Sequence, residues 1–95
     1  MSKIIDEGLK DLIREVQDIS KQMIVVLKEE VHQIINNRET SVHRIEHVLD
    51  RILDCLYSGF GEIEFRKLNG YYATLNPGNA AAYQRFFDEI KNDDE

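Results

Sequence analysis

The sequence predicts a mainly α-helical fold, with a long antiparallel helical hairpin followed by a small β-hairpin and a short C-terminal helix. The first 36 residues contain no proline and one glycine, Gly8. Apolar residues then recur at helical spacing as far as Leu56. All eight aromatic residues lie between Tyr57 and Phe87, around an Asn-Gly pair, which is a strong β-hairpin signal. These observations place the helical hairpin at residues 1–58 and the β-hairpin at residues 59–76.

The first predicted helix runs from Lys3 to about Asn36. Its apolar residues alternate steps of four and three, as in a coiled-coil seam: Ile5, Leu9, Leu12, Val16, Ile19, Met23 and Val26. The pattern then slips by one residue and continues at Leu27, Val31 and Ile34. A shifted seam indicates that the two halves of the helix face different neighbours.

The second predicted helix follows a short connection, with Asn37 or Thr40 as its N-cap, and ends before Gly59, which fits a left-handed C-terminal cap. Its core stripe is Ile45, Leu49, Ile52 and Leu56. This helix is too short to cover the start of the first one. We therefore expect a homodimer in which a second copy buries the uncovered residues: Ile5, Leu9, Leu12, Val16 and Ile19.

The β-hairpin prediction pairs Glu62–Leu68 with Tyr71–Leu75 across Asn69-Gly70. Its inner face would carry Ile63, Phe65, Tyr72 and Thr74. Asn76-Pro77-Gly78-Asn79 fits a type II turn. A C-terminal helix is predicted over 79–91, with a frayed acidic tail at 92–95, and the whole chain of 1–95 reads as a single domain.

Charge and cysteine content limit the classes of function. The net charge is −6 and no segment is basic, which disfavours nucleic-acid binding. The single cysteine, Cys55, cannot form an internal disulfide, and no apolar run is long enough to span a bilayer. We expect a cytoplasmic, acidic protein without a cofactor or membrane partner.

One short motif carries possible chemistry. His43-Arg44-Ile45-Glu46-His47 resembles H-x-x-E-H, the inverted zinc-peptidase pattern, in which two histidines bind zinc and the glutamate activates water. The resemblance covers five residues only. His43 and His47 lie nearly opposite the core stripe of their helix, and His32 could join them only if an oligomer brought outer faces together. We interpret the match as coincidental and keep a zinc-type metal-binding protein as an alternative.

A second alternative is nucleic-acid binding by the β-hairpin, with Arg66 and Lys67 beside the rings of Tyr71 and Tyr72. The overall acidity disfavours it. The preferred hypothesis is a small non-enzymatic protein–protein interaction or regulatory protein. It is based on the abundance of helical surface and on the uncovered apolar residues of the first helix.

Overall fold

The computed structural model describes the backbone of residues 2–93 and the side chains of residues 8–92. Within this part of the chain all regular structure is helical, and no strand occurs. The helices are α1 (Ser2–Asn36), α2 (Val42–Leu56), α3 (Glu62–Leu75) and α4 (Pro77–Asp93). The predicted mainly α character is therefore confirmed for these residues, and the predicted β-hairpin is wrong.

The hairpin of α1 and α2 forms as the sequence predicts. After α1 the chain reverses through Arg38 in the left-handed region (φ 51°), with the Glu39 amide donating to the Ile34 carbonyl. The N-cap of α2 is Ser41, whose hydroxyl accepts a hydrogen bond from the Arg44 amide at 3.3 Å. This residue replaces the two cap candidates taken from the sequence.

Gly59 closes the C-terminal end of α2, as predicted. Its φ of 87° is left-handed, and its amide donates to the Leu56 carbonyl. The Phe60 amide reaches back to the Cys55 carbonyl, so the two bonds complete a Schellman motif. The chain leaves α2 in a tight turn and enters α3 directly afterwards.

Residues 62–75 form α3, where the sequence predicted two strands around Asn69-Gly70. Phe65, Leu68 and Tyr72 are spaced by three and four residues and are completely buried. A strand pairing would have placed Ile63 and Thr74 inside with Phe65, but both are exposed. Burial of one helical stripe therefore outweighs the local turn preference of the Asn-Gly pair.

Asn69 of the Asn-Gly pair makes a tertiary contact instead of forming a turn. Its side-chain amide is buried and donates to the Ala80 carbonyl at 3.0 Å, which ties α3 to α4. Two acidic residues in the first turn, Glu62 and Glu64, also suit the positive end of a helix. The residue that suggested a turn thus serves a tertiary contact within a helix.

The predicted type II turn is also wrong, because α4 begins at Pro77 rather than at residue 79. The Asn76 side chain accepts a hydrogen bond from the Asn79 amide at 3.0 Å and caps the new helix, while Pro77 takes the first helical position. α4 also includes Asn92 and Asp93, which we expected in a frayed tail. Residues 94–95 lie outside the described residues.

The core lies where α2 contacts each of the other three helices. Phe65 of α3 stacks on Phe87 of α4 with ring centroids 4.6 Å apart, and Tyr72 meets Tyr83 edge to face. Below them lie the buried aliphatic residues of the first two helices: Leu27, Val31, Ile34, Ile45, Val48, Leu49 and Ile52. The molecule measures 53 × 25 × 19 Å, and its long dimension is the length of α1.

Candidate interaction surface

The N-terminal half of α1 extends beyond the other helices. We call residues 8–19 the arm and residues 20–92 the head. Every residue of the arm is exposed, and the first buried residue of α1 is Ser20. The boundary is made by the end of α2, since the Ser20 hydroxyl donates to the Ser58 hydroxyl at 3.1 Å and the Cys55 thiol lies 3.8 Å from the Ser20 carbonyl.

The arm carries an apolar stripe along one side. We call it the arm stripe; its members are between 48% and 59% exposed and comprise Leu9, Leu12, Ile13, Val16 and Ile19. The predicted interface residue Ile5 has its side chain outside the described residues. An exposed apolar surface of this extent on a small protein usually marks a contact with another molecule.

The arm stripe is aligned with the core of the head. Leu9, Ile13 and Val16 each precede a core residue by 18 positions, which is about five turns of helix: Leu27, Val31 and Ile34. Those core residues are at most 1% exposed. One face of α1 is therefore covered in the head and uncovered in the arm.

The predicted shift of the seam agrees with these exposures. Met23 is half-buried and Leu27 is fully buried, while Val26, the next residue of the first seam, is 57% exposed. The apolar series of the head thus starts one residue after the position that the arm pattern would require. In the head, α2 and α3 cover the face of α1 that carries Leu27, Val31 and Ile34.

A groove forms where the arm stripe meets the head. It has a volume of about 310 Å³ and is lined by Leu12, Ile13, Val16, Gln17, Tyr57 and Ser58. Tyr57, which lies at the edge of this groove, is 68% exposed. The apolar surface of the arm therefore continues onto the end of α2.

The histidine motif does not assemble as a metal centre among the described residues. His43 and His47 are exposed and His32 is half-buried, and no group of three or more potential ligands converges in that part of the chain. Glu46 is occupied by other contacts. Its carboxylate accepts hydrogen bonds from the Tyr72 hydroxyl at 2.5 Å and from the Asn79 side-chain amide at 3.2 Å.

This contact is part of a network that fixes α3 and α4 on α2. The Tyr83 hydroxyl donates to the Asp50 carboxylate at 2.8 Å, one helical turn beyond Glu46. Burial, followed by the hydrogen bond to Glu46, raises the pKa of Tyr72. Burial and the hydrogen bond to Asp50 likewise raise the pKa of Tyr83. Sequence reasoning missed this network because it required knowing that residues 62–75 are helical.

Residues 62–75, which the nucleic-acid alternative requires as a β-hairpin, form α3 instead. Tyr72 is buried, and the Tyr71 hydroxyl donates to the Glu39 carbonyl at 2.7 Å. Arg66 forms an ion pair with Glu62 at 3.3 Å and also lies over the Phe87 ring. Arg66, Tyr71 and Tyr72 therefore make contacts within the head, whereas Lys67 is exposed.

Cys55 has the environment of a structural thiol. It is 1% exposed, and burial, followed by the nearby Asp54 carboxylate, raises the pKa of its thiol. A raised pKa keeps the thiol protonated at neutral pH and lowers its reactivity.

No helix in the described part of the chain combines the length and the apolar character needed to cross a bilayer. Comparison of the chain with protein-family models, curated proteins and solved structures found no match.

Proposed function

We propose that this protein is a small non-enzymatic protein–protein interaction or regulatory protein that assembles as a homodimer through the arm stripe. The observation that carries the proposal is the half-exposed stripe of five large aliphatic residues in line with the core of the head. A second copy is the partner that the chain itself supplies, because a stripe with coiled-coil spacing complements another stripe of the same kind.

The free energy gained by burying the arm stripe in a dimer can be compared with the cost of association. Complete burial of one large aliphatic side chain stabilises by about 1.5–3 kcal/mol, and the side chains of the arm stripe have about half of their surface left to bury. Ten such side chains in a dimer would contribute roughly 8–15 kcal/mol. Association costs about 4–15 kcal/mol. A dimer that forms at micromolar protein concentrations needs a net gain of about 8 kcal/mol, which the upper part of the burial gain supplies when the association cost lies in the lower part of its range.

The non-enzymatic part of the proposal rests on Glu46. In a zinc peptidase this glutamate must face the metal-bound water, whereas here its carboxylate accepts hydrogen bonds from Tyr72 and Asn79. The cytoplasmic location stays part of the proposal and is based on the single thiol of Cys55, which suits a reducing compartment.

The experiment compares two matched substitutions by light scattering at micromolar concentration. Leu12→Asp places a carboxylate on the arm stripe, and Val25→Asp makes the same kind of change on an exposed residue of α1 outside it. We expect the wild type and Val25→Asp to be dimers and Leu12→Asp to be a monomer, because a carboxylate buried without a partner is strongly destabilising. Circular dichroism checks that both variants keep their helices.

A monomeric wild type at these concentrations would contradict the proposal. Dissociation of both variants to the same extent would also contradict it, since the interface would then not be specific to the arm stripe. The double change of Leu12 and Val16 to aspartate is available if a single charge only weakens the dimer.

A further inference from the structure

We infer that the second copy lies antiparallel to the first, arm against arm, with the two heads at opposite ends of the assembly. This inference rests on the proposed homodimer and specifies its geometry. It follows from where the exposed face of α1 stops.

The head excludes a parallel pair. From Ser20 onward, the face of α1 that carries the arm stripe is covered by α2 and α3 of the same chain. In a parallel pair, residues 20–36 of the second copy would continue along that covered face, into space that the head already fills. A helix lying on the arm stripe must therefore end near Ser20, and an antiparallel helix does so because its own head begins beyond the other end of the arm.

The spacing of the stripe selects one register. In an antiparallel pair, a residue that follows a step of four in one copy faces a residue that follows a step of three in the other copy. Placing Leu9 of one copy against Leu12 of the second pairs residues 2–19 with their equivalents about a centre between Lys10 and Asp11. This overlap spans the whole uncovered part of α1, and each contact occurs twice, as twofold symmetry requires.

Charge favours the same register. Glu15 flanks the stripe. In this register it lies at the level of Asp6 of the second copy, and the nearest residue on the flank that it faces is Gly8, about 3 Å further along the axis. A shift by seven residues, which sets Leu12 against Val16, would bring the two Glu15 residues to facing flanks within two residues of the same level, where like charges repel. The chosen register also brings Ile5 of the second helix to the level of Val16, beside the groove that contains Tyr57.

The arrangement fixes the length of the dimer. Each copy is 53 Å long, and an overlap of 18 residues is about 27 Å at 1.5 Å per residue. Two copies sharing that overlap make an assembly of about 80 Å, whereas a parallel pair would stay near the 53 Å of a single copy.

Disulfide cross-linking tests the orientation, with Cys55→Ala as background. Leu9→Cys and Leu12→Cys are oxidised separately and as an equimolar mixture. We expect a covalent dimer in the mixture and little in either variant alone, because each position faces the other one. The matched pair for the shifted register is Leu12→Cys with Val16→Cys, which should cross-link poorly.

Efficient self-linking of Leu12→Cys would overturn the inference, since it requires a parallel pair or an antiparallel pair in another register. Small-angle scattering of the wild type gives an answer that depends on no variant: a maximum dimension near 55 Å for a dimer would overturn the inference, and one near 80 Å would support it. A wild type with the mass of a monomer would instead contradict the homodimer itself, so the two failures are distinguishable.

Discussion

Substitution of Gly70 by alanine distinguishes two conformations of residues 62–75: the helix and the β-hairpin that the sequence suggests. Gly70 lies in the interior of α3, is exposed, and has nothing within 4 Å of the position of an added Cβ. In a two-residue hairpin turn this glycine would need a positive φ, and alanine would be strained there. In the helix the same change removes backbone freedom from the unfolded chain without creating a clash.

The expected gain in the free energy of unfolding is about 0.8–1 kcal/mol, which is the difference in helix propensity between glycine and alanine. For a chain of this size it corresponds to a rise in Tm of about 4–8 °C. Urea titration and thermal melting followed by circular dichroism measure both quantities. Variants are compared at one protein concentration, because association of the subunits adds to the apparent stability.

Ala73→Gly is the matched control, because Ala73 is also exposed within α3 and should lose a similar amount. Opposite effects of about equal size at the two positions are what a helix requires. If Gly70→Ala instead lowers the free energy of unfolding by 1 kcal/mol or more, residues 62–75 are not a continuous helix and the packing of Tyr72 against Glu46 must be abandoned.

Two further predictions concern the head. Gly61→Ala should destabilise by about 1–3 kcal/mol, because a Cβ at φ 107° would lie 3.1 Å from Ile24 and Ile52 side-chain carbons. Gly59→Ala, at φ 87° but in open space, should cost less, and a urea titration in which Gly59→Ala is the more damaging variant would refute the close approach. Stability should also fall as the pH rises above about 10, because the raised pKa values of Tyr72 and Tyr83 mean that the folded state keeps protons that the unfolded state loses. Tyr83→Phe should make the free energy of unfolding less dependent on pH above about pH 10, and an unchanged dependence in that variant would show that Tyr83 is not responsible.

The sequence was sufficient to predict the helical hairpin because its apolar spacing is long and uninterrupted. The slip between Val26 and Leu27 lies within the head, about two turns after Ser20, where the cover of α1 begins. α3 was mispredicted because Asn69-Gly70 is a strong local signal, while the competing pattern of Phe65, Leu68 and Tyr72 spans only two turns. Burial of Phe65, Leu68 and Tyr72 against the other helices favours the helix over the turn, and the local sequence does not specify that burial.

The candidate surface was predictable in part for the same reason. Comparing the lengths of the two helices was enough to locate uncovered residues on α1, of which Leu9, Leu12, Val16 and Ile19 are exposed. The roles of Glu46 and Asp50 were not predictable, since their tyrosine partners belong to helices whose positions the sequence left open. Spacing along one helix predicts its face, but it does not predict which element covers it.

The boundary at Ser20 divides α1 into two parts with different sources of stability. An isolated helix as short as residues 2–19 is marginal in water, so the arm depends on its continuity with the head and on whatever covers its stripe. In the proposed homodimer the order of the arm should follow the protein concentration, whereas the head is packed within one chain and should not respond to dilution. Hydrogen exchange at backbone amides of residues 8–19 should therefore report the degree of association directly, and the amides of the head should not respond.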